Sequence, residues 1–239
     1  MGDDSMFQPL SDEERTAPVG NGKAAASRPK ITPIIPVPDN ARPLDWQHPQ
    51  YGRPVARWQY HTAEGGLVAY AARVEYIEDG ERKKDVYPVL WCRVEQNGRE
   101  YCAWRSKGVP APRPLYRLRE MLAAPDAPIV VTEGEKKADL VARLFSGYAG
   151  TTSIGGAKAV GHSDWTPLAG RGVAIWPDND DPGRKYAEDV AAIVTKVGAS
   201  SVAIVDVPEE WPEGWDLADD LPDGVELEHL GELLKTAPP

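Results

Sequence analysis

Between Val55 and Arg105 four stretches are rich in valine, tyrosine and tryptophan: Ala56–Thr62, Leu67–Ile77, Asp85–Val94 and Arg99–Arg105. Glu64-Gly65-Gly66, Asp79-Gly80 and Asn97-Gly98 punctuate them. Asp-Gly and Asn-Gly favour two-residue type I′ turns, which need positive φ at both central positions. The pattern predicts an antiparallel meander. A two-residue loop at Asn97-Gly98 puts Gln96 opposite Arg99, Cys92 opposite Ala103 and Cys102 opposite Arg93. Those two pairs point to opposite faces, so neither a disulfide nor a zinc site is expected of the two cysteines.

After Pro125 the pattern changes to continuous apolar runs alternating with helical periodicity. Pro128–Thr132, Ala149–Ile154, Gly172–Trp176 and Ser201–Val205 read as strands. Lys136–Phe145 and Gly183–Val197 read as helices, the second with Ala187, Val190, Ala191 and Val194 on one face. Apolar strands alternating with helices predict a parallel sheet covered on both faces. Residues 1 to 45 carry no hydrophobic period and are expected to form a disordered Pro/Ala-rich tail. Within it Ile31–Pro38 has too many prolines for a helix and reads as an extended tether. The expected division is a tail over 1–45, a β-rich basic subdomain over 46–125 and an α/β domain over 126–235.

No stretch of about 18 apolar residues is present, so no membrane span is expected. The acidic N-terminus does not read as a signal peptide, and two cysteines are no disulfide scaffold, so the expected location is the cytoplasm. The formal net charge of −10 is unevenly spread. Residues 53–119 carry 13 basic and 8 acidic side chains, whereas residues 120–239 carry 9 and 22. A basic middle beside an acidic end suits a polyanion partner next to metal-centred chemistry, and it also describes two solvated faces without function.

The acids concentrate at two strand ends, Glu133 after the first strand of the α/β part and Asp178-Asn179-Asp180 after the third. Binding crevices of open α/β sheets lie at the carboxyl ends of strands. Asp178 and Asp180 are two apart, so in extended backbone both point to one side and can converge with Glu133. Oxygen-only ligands select a hard cation, Mg²⁺ or Mn²⁺, rather than zinc. Removing one crowded carboxylate is expected to relieve repulsion. The alternative reading of the same loop is a polar turn built from turn formers.

The segments VVTEGEKKAD, TSIGGAKAV, AIWPDNDDPGRKYAEDVA and GWDLADDL resemble the TOPRIM domain shared by bacterial-type primases, topoisomerases and some nucleases, and most of all TOPRIM primase-like proteins of phages and mobile elements. The resemblance spans residues 46–235 and implies a TOPRIM parallel sheet flanked by helices. It implies Glu133 as the family's glutamate, Asp178 and Asp180 as its Asp-x-Asp pair, and Asp216 and Asp219 as a later acidic cluster that can complete metal binding. That last pair also fits a helix N-terminus, where acidic residues favour the dipole. The chain departs from such primases in having no zinc-binding finger and no G-x-x-x-x-G-K-[ST] helicase motif.

Basic residues Arg99, Arg105, Lys107, Arg113, Arg117 and Arg119 interleave with Tyr101, Trp104 and Tyr116. Basic groups beside aromatics suit a single strand, with Trp104 stacking on bases. The same pattern describes a meander whose aromatics are core and whose arginines are its wet edge. Tyr101 and Trp104 have opposite parity, so at least one is expected to face the core. The turn Gly155-Gly156-Ala157-Lys158 could cradle phosphate, and Lys136, nearest the carboxylate, could hold a triphosphate or lie on the helix surface. The function this implies is primer synthesis: a Mg²⁺-dependent nucleotidyltransferase acting on single-stranded DNA and nucleoside triphosphates, with a helicase in trans. A metal-dependent nuclease and a non-catalytic single-strand binder share the same features.

Overall fold

A computed structural model describes residues 28–237, apart from the side chain of Lys158. Two sheets make up the molecule. The first is antiparallel: β1 (Lys30–Pro33), β2 (Ala56–His61), β3 (Leu67–Glu78), β4 (Glu81–Gln96) and β5 (Arg99–Ser106). Its order is β1-β4-β3-β2, with β5 also on β4. The Asn97-Gly98 turn sets the predicted register, Gln96 opposite Arg99, Cys92 opposite Ala103 and Arg93 opposite Cys102. Asp79 and Asn97 both have positive φ, as a type I′ turn demands.

The tail expectation fails over residues 28–45. Lys30–Pro33 pair with Cys92–Glu95 as an edge strand. Proline is tolerated there because one side of an edge strand needs no donor. Ile34, Val37, Leu44 and Trp46 then pack against Val89, Trp91 and Trp104. Residues 1–27 of the expected tail lie outside the described residues.

The second sheet is wholly parallel: β6 (Ile129–Thr132), β7 (Ala149–Thr151), β8 (Gly172–Trp176) and β9 (Ser201–Ile204), in the order β7-β6-β8-β9. Helices cover both faces, as continuous apolar strands require. On one face α1 (Leu118–Ala123) and α3 (Asp181–Lys196) bury Ile129, Val131, Val173 and Ile175. On the other, α2 (Glu135–Leu144) and α4 (Leu227–Thr236) bury Val130, Ala174 and Trp176 with Trp211 and Trp215. Gly150 lets α2 lie directly on β7, since a Cβ there would strike the backbone of Ala138. Short 3₁₀ turns, Ala157–His162 and Thr166–Leu168, fill the crossover from β7 to β8.

The two sheets share a core. Tyr60, Ala69, Ala71, Leu90 and Cys92 of the meander pack with Tyr116, Ala138 and Ile154 of the α/β part. One polar contact crosses this joint, where the Tyr60 hydroxyl donates to Glu135 Oε1 at 2.8 Å, both groups buried. Trp58 of β2, Arg73 of β3 and Lys84 and Val86 of β4 line a cleft with Glu133 and Gly134, just past the carboxyl end of β6.

Candidate active site

β6 and β8 are hydrogen-bonded neighbours, with Thr132 opposite Trp176. The chain leaves β6 towards β7 and leaves β8 towards β9, in opposite directions across the sheet. The gap between their carboxyl ends is therefore the topological switch point, where α/β sheets open a crevice. Glu133 follows one strand and Asp178 the other.

Each acid is placed by local backbone chemistry. Gly134, at φ 125°, makes the turn from β6 into α2, and its N–H donates to Thr152 Oγ1 at 3.1 Å. Asp180 is the N-cap of α3, its Oδ1 accepting from the Gly183 N–H at 2.6 Å. Gly183 is required in turn, because a Cβ there would collide with the backbone of Asp178. Asn179 points away from its flanking aspartates and is buried. Its amide donates to the carbonyls of Trp211 (3.0 Å) and Pro212 (3.2 Å), and its backbone pairs with Trp215 and Gly214. That residue ties the β8 strand end to the loop carrying Asp216. Asp216 and Asp219 close a local turn: Asp216 Oδ1 accepts from Ala218 N–H at 2.7 Å, and Asp219 Oδ2 from Asp216 N–H at 2.9 Å.

Glu133, Asp178, Asp180 and Asp216 lie close enough to act on one another. Burial raises the Glu133 carboxyl above the ordinary carboxylate range, and Asp178, Asp180 and Asp216 add to the rise. Burial likewise outweighs the pull of Lys137 and lifts Asp178. Lys137 is the cation among them. Its ammonium donates to both oxygens of Asp178, at 2.6 Å to Oδ2, and stands 3.4 Å from Asp216 Oδ2. Its side chain is only 9% exposed. Among the described residues no three His, Cys, Asp or Glu side chains converge where they could hold a metal ion. Four of the five predicted ligands, Glu133, Asp178, Asp180 and Asp216, thus share a field without meeting at a point, and the fifth, Asp219, is turned to the Asp216 N–H.

Lys136, which the sequence favoured for its nearness to Glu133, is exposed and reaches the Ala218 carbonyl at 3.3 Å. Lys137 carries the contact instead. No local signal marked it, since its partner Asp178 lies 41 residues later in the chain.

A cleft of about 320 Å³ opens beside the acids. Glu133, Asp216, Asp219 and Lys136 form one wall, and Trp58, Arg73, Lys84 and Val86 of the meander form the other. Arg73 pairs with Glu75 at 2.6 Å, while its Nε is buried without a hydrogen-bond partner. The sequence reading missed this basic wall. Its signal was parity, since Arg73 occupies the same inward register as Ala69 and Ala71 on β3.

The basic residues singled out from the sequence lie elsewhere. Arg105 sits opposite Leu90, six residues along β4 from Lys84, which is roughly 20 Å at the rise of a strand. Arg99 and Lys107 are exposed on the same strand or just past it, and Arg105 lies over the Tyr101 ring at 5.8 Å. Trp104 is 3% exposed, packed edge-on to Trp91 and Tyr70, with its indole N–H given to the Arg42 carbonyl. It has no ring face for a base, so the stacking role expected of it is corrected to one in the core. Arg113 is spent on the Val109 carbonyl at 2.7 Å and Arg117 on Asp139 at 3.1 Å. Gly155 and Gly156 have the positive φ expected of a glycine turn and do not line the cleft. The Lys158 side chain lies outside the described part of the chain.

No family model matches the chain, and no curated protein matches it. Among solved structures it is similar to the zinc-binding and RNA polymerase domains of the Aquifex aeolicus primase, at 20% identity over 79% of this chain and 41% of that one, with a TM-score of 0.47. A DNA primase domain from Pseudomonas aeruginosa matches at 16% identity over 69% of this chain and 49% of that one, TM-score 0.43. The primase fragment of the bacteriophage T7 primase-helicase protein matches at 17% identity over 72% and 74%, TM-score 0.34. This chain spans less than half the length of the first two.

Proposed function

We propose that the chain is a primase-like nucleotidyltransferase that joins ribonucleotides on single-stranded DNA. The observation that carries this reading is the cleft itself, with Glu133 at the end of β6 and Asp216 and Asp219 on one wall and Trp58, Arg73 and Lys84 on the other, while Asp178 and Asp180 line a neighbouring cleft. A nucleoside triphosphate has complementary parts: a ring to stack, phosphates to neutralise, and a reacting phosphate that needs a hard cation. Arg73 has a buried donor to spare, Lys84 and Lys136 flank it, and the half-buried Trp58 offers a ring.

The donor set suits a divalent cation in its chemistry, although among the described residues no three of the acids converge on one point as they stand. All its groups are carboxylates, burial and the neighbouring acids raise Glu133 and Asp178, and the protein already stabilises positive charge beside Asp178 and Asp216 through Lys137. Glu133, Asp178, Asp180 and Asp216 would hold Mg²⁺ or Mn²⁺. When bound, the cation would stabilise the charge that develops as the α-phosphate is displaced in line. The chain's own residues do the rest: they orient the triphosphate, neutralise its outer phosphates and keep Asp178 and Asp216 side by side through Asn179. The row of exposed Arg99 and Tyr101 and half-buried Arg105, with Lys107 beyond it, is where a template strand is proposed to run.

Incubation with single-stranded DNA, Mg²⁺ and labelled ribonucleotides tests the reading. Labelled extension products are the expected result. Shortened DNA would replace it with a nuclease, and a shifted but unchanged strand with a binding module.

A further inference from the structure

Charge on the β3–β4 hairpin is sorted by strand parity. β2 begins opposite Arg73 and β5 ends opposite Val89, so beyond them the hairpin runs on as a two-stranded ribbon. Arg73 faces Val86, Glu75 faces Lys84 and Ile77 faces Arg82, all on the side of the sheet that carries Trp58. That face holds Arg73, Arg82 and Lys84 against Glu75. The opposite face holds Glu78, Glu81 and Asp85 against Lys83. Solubility alone asks for both signs mixed on each face. The acidic face is backed by other parts of the chain: Tyr51 stacks on Tyr76 with centroids 3.8 Å apart, Trp46 and His48 pack on Tyr87, and both tyrosine hydroxyls donate to Asp85 Oδ2. Two strands alone are marginal in water, so this backing stiffens the ribbon. The basic face is left open, with Val86 47% and Ile77 70% exposed.

Glu75 sits at the centre of that face. Its Oε1 accepts from Arg73 Nη2 at 2.6 Å, and its Oε2 accepts from Arg82 Nη2 and from Arg82 Nε at 3.1 Å. These bonds, that of Arg82 foremost, hold its carboxyl below the ordinary range. The forks that grip a carboxylate this way grip phosphate equally well. Lys84 stands directly across the strand pair, and Arg73 Nε is buried without a hydrogen-bond partner. We propose that Arg73, Arg82 and Lys84 form the site for the phosphate chain of a nucleoside triphosphate, with Glu75 as a built-in competitor that the phosphates displace. The site rests on the nucleotide reading above and extends it one rung past Lys84, to Arg82. It needs no metal. Glu75 keeps both arginines in position, and it lowers affinity because the competent state is the fraction in which they are released. If that fraction is about one tenth, apparent affinity falls tenfold.

Inorganic tripolyphosphate is the probe, titrated calorimetrically in EDTA into the full chain as wild type, Glu75→Gln, Glu75→Thr and Arg82→Ala. Two replacements of Glu75 are used in case one folds poorly, and binding of labelled ATP is measured alongside. The expected result is about tenfold tighter tripolyphosphate binding in both Glu75 variants and severalfold weaker binding in Arg82→Ala, each difference shrinking as salt is raised. Weaker binding in the folded Glu75 variants would make Glu75 only a support for Arg73, and unchanged binding would make it only a surface ion pair; either overturns the competition. ATP binding to wild type with no tripolyphosphate binding by any variant would overturn the phosphate site and leave the nucleotide cleft standing. Binding of neither ligand would overturn both.

Discussion

Asp178 and Asp180 sit two residues apart, and the sequence treats them as twins. The structure separates their work. Asp178 holds the Lys137 ammonium, whereas Asp180 caps α3 through the Gly183 N–H. The expectation that losing either relieves repulsion therefore applies only to Asp180. Asn caps a helix about as well as Asp, so Asp180→Asn should leave the metal-free melting midpoint within about 1 °C while still weakening metal binding. Asp178→Asn should destabilise by roughly 1–3 kcal/mol, because a buried charge loses its main partner, and Asp216 limits the loss. Thermal melts of the two variants in EDTA check the contrast; equal midpoints would show that Lys137 is not held by Asp178 in solution. This asymmetry was not legible beforehand. Alternation shows that Asp178 and Asp180 share a side of the strand end, but which cation each meets depends on a helix 41 residues earlier in the chain.

At the scale of elements, every strand but β1 was legible, because turn dipeptides and apolar runs are local signals. Asn97-Gly98 even fixed the pairing of each cysteine. What stayed hidden depends on contacts far apart in sequence. The Ile31–Pro38 segment looks like a tether until β4 offers it an edge. Its apolar side chains bury against Trp91 and Trp104, so truncation to residue 46 should lower the melting midpoint by on the order of 10 °C, given about 2–4 °C per kcal/mol for a chain of this size. A truncated protein that melts like the full chain would show that β1 contributes nothing. The joint between the sheets makes a second prediction. Burial raises the Glu135 carboxyl above its ordinary range, although the bond from Tyr60 opposes this. A folded-state pKa above the unfolded value means the folded protein binds the proton more tightly. This group's contribution to stability is therefore greatest at low pH and declines as pH rises from about 4.5 through the raised value. Glu135→Gln should flatten that decline in melts across pH 4 to 8. Tyr60→Phe should steepen it and cost about 1–3 kcal/mol at neutral pH, as the ionised form loses its donor.

For the molecule as a whole, the uneven charge has its structural counterpart at another place than the one expected. The basic middle does face the acidic end, but through Arg73 and Lys84 at one end of the β3–β4 hairpin. Arg99–Lys107 lies at the other end, and Arg113 and Arg117 are absorbed by structural bonds. A strand pattern tells which face a residue takes; it does not tell which end of a sheet lies beside a neighbouring domain. The central claim is that the two walls of the cleft form one nucleotide site, and Mg²⁺-dependent binding of labelled ATP tests it most directly. Equilibrium dialysis with and without Mg²⁺ should be run on wild type, on Arg73→Ala with Lys84→Ala, and on Asp178→Asn. Wild type should bind more tightly with Mg²⁺. The double variant should lose at least tenfold in both conditions, and Asp178→Asn should lose only the Mg²⁺-dependent part. Affinity unchanged in the folded double variant, or binding indifferent to Mg²⁺ in wild type, would contradict a site shared between the walls.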